Sequence, residues 1–177
     1  MIIRNPHETD GGAMWRLAAE SKVLDLNSSY SYLLLSTHFS ETCAVAEENG
    51  AILGFASAYR IPNRPDVLFL WQIAVSESAR GRGLAVSMLK WLIGREAAKD
   101  AKAFETTVTP SNAPSRALFQ RLARDLDAEL DIRTGFPESW FPDAGHERED
   151  LFHIAPLRAE RLAEDTENAN RNQRPGR

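Results

Sequence analysis

The sequence predicts an α/β fold, a single domain in which a mixed central sheet is flanked by helices. Three observations lead there. Asn49-Gly50 separates two β-prone runs, Val67 to Val75 is almost continuously apolar, and an apolar stripe at helical spacing begins at Leu84 directly after a glycine-rich turn. The 177 residues, 43% of them hydrophobic and 26% charged, suit one core.

Taken in order, Met1 to Arg4 reads as a short strand, and Asp10 stands where it can cap a helix through Met14, Trp15, Leu17 and Ala18 towards Val23. Ser29 to His38 forms a second helix, with Tyr30, Leu33, Leu34 and Phe39 near helical spacing. Cys43 to Glu47 and Ala51 to Tyr59 make an antiparallel hairpin, because Asn-Gly readily supplies the two positive φ values of a tight turn. Pro62 to Asp66 is a loop, and Val67 to Val75 then reads as a strand covered on both faces, hence central. From Leu84 a helix carries Ala85, Met88, Leu89, Leu92 and Ile93 on one stripe. Ala103 to Thr109 is β-rich, and Pro114 falls in the first turn of a helix through Leu118, Phe119, Leu122 and Leu126. Arg133 to His146, with Gly135, Pro137, Pro142 and Gly145, reads as a loop, and Leu151 to Ile154 as the last strand. The domain is expected over residues 1–160, and the polar stretch 161–177 as a disordered tail.

Charge and composition remove several function classes. A net charge of −4 does not suit a nucleic-acid-binding surface, which needs a dense basic face. Cys43 is the lone cysteine and cannot form an intramolecular disulfide; the start of the chain has no signal-peptide pattern, and no apolar run approaches the roughly 18 residues of a membrane span. A soluble cytoplasmic protein is expected, with no nucleic-acid or membrane partner. His7, His38 and His146 have no metal-ligand spacing with Cys43, so no metal is expected. No Gly-x-Ser-x-Gly elbow is present either.

The chemistry is concentrated in Arg80-Gly81-Arg82-Gly83-Leu84-Ala85. A buried strand, a glycine pair and a helix start let backbone N–H groups converge on a phosphate, reinforced by the helix dipole and by the arginines. A dinucleotide fingerprint wants a further glycine where Val86 stands, and a triphosphate loop wants Gly-Lys-Ser/Thr; neither fits. An ordinary glycine-rich turn is the bland alternative.

In these residues the chain resembles the GCN5-related N-acetyltransferase family, in which Arg/Gln-x-x-Gly-x-Gly/Ala holds the pyrophosphate of acetyl-CoA. The likeness extends in element order from Met1 to Ala155. It implies coenzyme contacts at Ile73, Val75, Arg80, Gly81, Arg82, Gly83, Leu84 and Ala85, and, through Asn112-Ala113-Pro114-Ser115, at Asn112, Ser115 and Phe119. Phe119 departs from the pattern, because many members have there a tyrosine that protonates the departing thiolate. The segments Leu24 to Leu34 and Leu70 to Ser76 are similar to the branch of the family that acetylates the γ-amine of L-2,4-diaminobutyrate for ectoine biosynthesis, as homodimers. Other readings stay open: a member of the same family acting on another small amine, or a non-catalytic acyl-CoA sensor.

An alkyl ammonium must lose a proton before it attacks a thioester, so a carboxylate or ordered water near the acceptor is required. Asp25 is a candidate for holding an ammonium group and for catalysis, against a reading as a helix cap. Glu105, opposite the face of Phe104, Thr106 and Val108, is a candidate anchor or proton acceptor, against a solvated strand position. Trp71 is a candidate wall for the acceptor, against core packing. Tyr30 is the candidate substrate contact of the Tyr30/Tyr32 pair, and His153 a further one, against a satisfied core histidine. Backbone N–H groups between Ile73 and Val75 are candidates for polarising the thioester carbonyl.

Overall fold

A computed structural model describes residues 1–142 and 145–158. Among them the elements run β1 (Ile2–Arg4), α1 (Gly11–Ser21), α2 (Ser29–Thr37), β2 (Cys43–Glu48), β3 (Ala51–Ile61), β4 (Arg64–Val75), α3 (Leu84–Ile93), β5 (Ala103–Val108), α4 (Ala113–Asp125), β6 (Glu129–Phe136) and β7 (Glu149–Ala155). The tail expected over residues 161–177 lies outside the described residues.

The strands form one seven-stranded sheet in the order β1-β2-β3-β4-β5-β7-β6, with β4 at its centre as expected. Neighbours are antiparallel except β4 and β5, which are joined by α3 and run parallel, as a helical crossover requires. The Asn49-Gly50 turn forms with φ of 52° and 78°, the two positive values the sequence promised.

Strand periodicity sorts the core into two layers. Cys43 and Val45 of β2 join Met14, Leu17, Tyr32 and Leu35 beneath α1 and α2. Their neighbours Ala44 and Ala46 join Met88, Leu89, Phe104, Phe119 and Phe152 beneath α3 and α4.

Four expectations are corrected. Lys22, at φ 58°, ends α1 before Val23. Asp10 makes no side-chain cap on that helix; its carboxylate accepts the His7 backbone N–H at 2.7 Å and an Arg4 N–H at 2.6 Å, because the residue closes the preceding short 3-10 turn. Strand β4 begins at Arg64, so the loop expected over Pro62 to Asp66 shrinks to a tight hairpin. Residues 133–136, read as loop, belong to the edge strand β6. Gly135 suggested a loop but allows close approach: a Cβ there would sit 3.0 Å from the Glu149 carbonyl oxygen.

Candidate active site

The central feature is a split in the sheet. The β4–β5 ladder runs from Val67–Ala103 to Leu70–Thr106 and stops, although β4 continues to Val75. At the fork, the Thr106 hydroxyl donates to the Leu70 carbonyl at 3.1 Å. Beyond it, the β5-facing side of β4 has no strand partner among the described residues, so its backbone is available to a ligand.

A β-bulge marks the same place. Ala58 faces Leu70 while Ser57 faces Gln72, leaving Trp71 as the extra residue. The bulge interrupts the in-out alternation, so the consecutive side chains Trp71 and Gln72 both line one cavity.

On the coenzyme side, a cleft of about 610 Å³ is walled by Ile73, Val75, Arg80, Ala85, Asn112, Ser115 and Leu118. A neighbouring hollow of about 350 Å³ shares Val75, Arg80, Ala85 and Leu118 with it and adds Gly81, Gly83 and Leu84. Gly81 and Gly83 have φ of 76° and 74°, and a Cβ on either would point into open space. Gly83 is also the N-cap residue of α3, so the first N–H groups of that helix face the same hollow. An open glycine cradle, a helix N-terminus, Arg80 and a largely apolar cleft together fit a pyrophosphate followed by a long, mostly apolar arm.

Not every expected coenzyme residue takes part alike. Arg82 is held by Glu48, two hydrogen bonds at 2.9 and 3.2 Å, outside the cleft walls. Asn112 caps α4, its Oδ1 accepting the Ser115 backbone N–H at 3.2 Å while both residues line the cleft. Leu84 is buried and offers only backbone. Phe119 is corrected: it is 2% exposed, with its ring packed between Phe104 and Phe152, because it lies on the apolar stripe of α4.

On the other side of the split is a cavity of about 320 Å³ that shares Val23, Thr109 and Asn112 with the coenzyme cleft. Its walls combine Trp71, Tyr59 and Phe69 with the polar groups of Asp25, Gln72, His146 and Glu149. Burial pushes the Glu149 carboxyl above its ordinary 4.5, against the opposing pull of Thr107 and His146. The His146 ring stacks on Phe141 with centroids 3.7 Å apart, and its Nε2 is 3.7 Å from Asp25. The hydrogen bond to the Glu147 carbonyl, with Asp25 and Glu149 nearby, raises its pKa above 6.5. The Asp25 carboxylate, 87% exposed, stands at the mouth. Two contacts tie the start of α4 to this wall: Ser111 bonds to the Glu147 carboxylate, and Arg116 donates to Asp150 at 2.9 Å.

Glu105, His153 and Tyr30 line none of these cavities. Tyr30 is 65% exposed on the outer side of α2. Glu105 is 1% exposed and accepts from Arg64 at 2.8 and 2.9 Å, with His153 Nδ1 at 2.9 Å. Burial alone would raise the Glu105 carboxyl, but the bonds from Arg64 and His153 outweigh it and hold it below 4.5. The cluster braces β4, β5 and β7 beyond the cavity. Glu105→Ala is expected to cost about 3 kcal/mol in urea unfolding at neutral pH, the lower end for a broken buried pair because Arg64 can turn to water. Since the folded-state carboxyl is depressed, this stabilisation exists above the ordinary 4.5 and is lost as pH falls through the folded value, so the deficit should shrink in acid.

Glu149, His146, Gln72 and Tyr59 were not singled out from sequence. Glu149 was legible: it lies four residues before His153, hence on the same face of the final strand. Gln72 was not, because only the bulge turns it into the cavity.

Comparison with known proteins agrees with this geometry. Residues 13–123 match the family model described as the acetyltransferase (GNAT) family. The L-2,4-diaminobutyric acid acetyltransferase of Shouchella clausii is 45% identical over 159 residues, 90% of this chain and 89% of the relative. That of Virgibacillus pantothenticus is 46% identical over 153 residues, 86% and 96% of the two chains. The diaminobutyrate acetyltransferase from Paenibacillus lautus, solved with its substrate L-2,4-diaminobutyric acid and coenzyme A, superposes with a TM-score of 0.84 at 42% identity, over 88% of this chain and 94% of that one. With the split sheet, the glycine cradle and nearly full-length relatives in agreement, the chain belongs to the acetyltransferase (GNAT) family.

Proposed function

We propose that the protein transfers the acetyl group of acetyl-CoA to the γ-amine of L-2,4-diaminobutyrate, giving N4-acetyl-L-2,4-diaminobutyrate, a step of ectoine biosynthesis. The observation that carries this reading is the pair of cavities meeting across the β4–β5 split, one suited to the coenzyme and the other walled by aromatic rings and carboxylates. The names of the relatives and the ligands of the Paenibacillus lautus protein support it.

In this reading the loop from Arg80 to Ala85 and the N-terminus of α3 hold the pyrophosphate, and the unpaired side of β4 from Ile73 to Val75 takes the pantetheine arm and polarises the thioester carbonyl. Asn112 and Ser115 flank that arm. The coenzyme supplies an activated acetyl thioester; the chain supplies position and proton transfer. Asp25 at the mouth pairs with one ammonium, the His146 ring meets the carboxylate, and Trp71 packs on the short alkyl chain. Glu149, the most enclosed carboxylate of the cavity, receives the proton of the attacking amine. The nitrogen then attacks the thioester carbon, and the tetrahedral intermediate expels the thiolate, which solvent in the open cleft protonates. Glu105 and His153 act in this scheme through the bracing of β5 and β7.

We propose further that the protein acts in the cytoplasm as a homodimer. Its lone Cys43 is buried, with the thiol pushed up to about 12 by burial, and suits a reducing compartment. Exposed Leu26 and Trp140 give a second copy apolar surface to cover. Sedimentation reads the oligomer directly. The substrate is tested by following free thiol released from acetyl-CoA with a panel of amines. Turnover is expected with L-2,4-diaminobutyrate; silence there alongside turnover of another amine would assign the protein to a different acceptor.

A further inference from the structure

Tyr32 is completely buried on the inner face of α2, with its ring edge-on to Phe55 at 6.0 Å and 89°. Its hydroxyl donates to Oε1 of Gln72 at 2.9 Å. The other end of the same amide, Nε2, donates to the backbone carbonyl of Asp25 at 2.7 Å. The main chain of Gln72 is fixed separately, by hydrogen bonds of 3.3 and 3.4 Å exchanged with the Ser57 hydroxyl. What the phenol controls is therefore the orientation of the amide, not the position of the strand. An amide presents an acceptor at one end and donors at the other, so a flip would set the Gln72 oxygen against the Asp25 carbonyl.

The start of the Asp25 segment is tied to α1, where the Ser21 hydroxyl accepts the Val23 and Leu24 N–H groups at 3.4 and 3.2 Å. Asp25 itself is held to the sheet by the Gln72 bond, with only His146 Nε2 near its carboxylate, at 3.7 Å, among the described residues. Lys22 breaks the helix before it, and Val23, Leu24 and Asp25 all line the acceptor cavity. The hydrogen bond from Asn27 to the Asp25 carbonyl is longer, at 3.4 Å, and stays within the segment.

We propose that Tyr32 is a positioning residue for the acceptor: by orienting the Gln72 amide it holds Leu24 and Asp25, which line the acceptor cavity and not the coenzyme cleft, in place over that cavity, without touching either substrate. The inference rests on the reading of this cavity as the amine site. A residue serving only the core would change stability and leave substrate affinities alone, or loosen both together. A residue holding one wall of one cavity shifts one KM.

The test is steady-state kinetics of thiol release, with acetyl-CoA and the amine varied separately. Tyr32→Phe keeps the ring and removes the hydroxyl. It should raise the acceptor KM about tenfold, equivalent to about 1.4 kcal/mol, with kcat and the acetyl-CoA KM within about twofold of wild type. Gln72→Glu, which still accepts from Tyr32 but sets an oxygen against the Asp25 carbonyl, should raise the same constant. The double variant should rise no further than the larger single effect, because both changes release one wall. An unchanged acceptor KM in Tyr32→Phe, equal rises in both KM values, or multiplicative effects in the double variant would overturn the proposal. Should wild type turn over a different amine, that amine's KM is the one read, so the fate of the diaminobutyrate assignment and the fate of Tyr32 are decided separately.

Discussion

Glu149→Gln is expected to lower kcat by about 10²- to 10⁴-fold, the range typical of a lost general base, while coenzyme affinity stays near wild type. The amide keeps the size and polarity of the side chain and removes only its capacity to accept a proton. The acceptor amine is protonated at neutral pH, so its deprotonation lies on the path to attack. Glu149 is half-enclosed at the start of β7, and burial raises its carboxyl above the ordinary 4.5. That shift fixes the sign of the pH dependence. Only the ionised form accepts the proton, so kcat/KM should fall as pH drops through the raised value, higher than an exposed glutamate would give. The acidic limb assigned to Glu149 should be missing from the Glu149→Gln profile. Asp25, exposed at the mouth, should behave otherwise: Asp25→Asn should raise the acceptor KM more than it lowers kcat. Rate profiles of the three proteins between pH 5 and 9 separate the roles.

Gly83→Val should weaken coenzyme binding at least tenfold, about 1.4 kcal/mol or more. Two effects combine. At φ 74° an L residue is strained by roughly 1–2 kcal/mol, which stability measurements report. The branched side chain also projects into the open space where the cradle and the N-terminus of α3 converge, which binding reports. Calorimetric titration with coenzyme A, set beside urea unfolding of the same variant, reads the two separately. Coenzyme affinity equal to wild type would remove the pyrophosphate from this loop. Arg82→Ala should do much less, since its guanidinium is committed to Glu48.

Periodicity made much of this fold legible in advance. The Asn49-Gly50 hairpin, the central apolar strand and the α3 stripe all signal through local spacing, and each formed where expected. The glycine-rich turn before α3 was legible as well, and the structure adds that Gly81 and Gly83 adopt positive φ. Strand β6 was missed because it is an exposed edge: Leu130, Ile132 and Phe136 do alternate with charged residues, but Gly135 and the following prolines outweighed so weak a pattern. The acceptor side was less legible for a different reason. Period two puts Glu105 and His153 on the correct face of the sheet, but not at the correct distance along it. Arg64, whose role depends on where β4 begins, draws Glu105 into an ion pair instead. Trp71 was legible as an interruption in an aliphatic run, whereas Gln72 reaches the cavity only through a one-residue bulge, a long-range consequence of how β3 and β4 register. His146 looked idle because metal spacing was the only pattern it could be matched to. Its use lies in its nearness to Asp25, a residue far away in the chain.

The central claim is that a diamine is held across the split with its far nitrogen, not its α-nitrogen, towards the thioester. The most direct measurement is two-dimensional NMR of the product formed from L-2,4-diaminobutyrate and acetyl-CoA. A single amide at the γ-nitrogen, with the α-amine free, is the expected result. An α-amide, a mixture of the two, or thiol release without acetylated diaminobutyrate would contradict it.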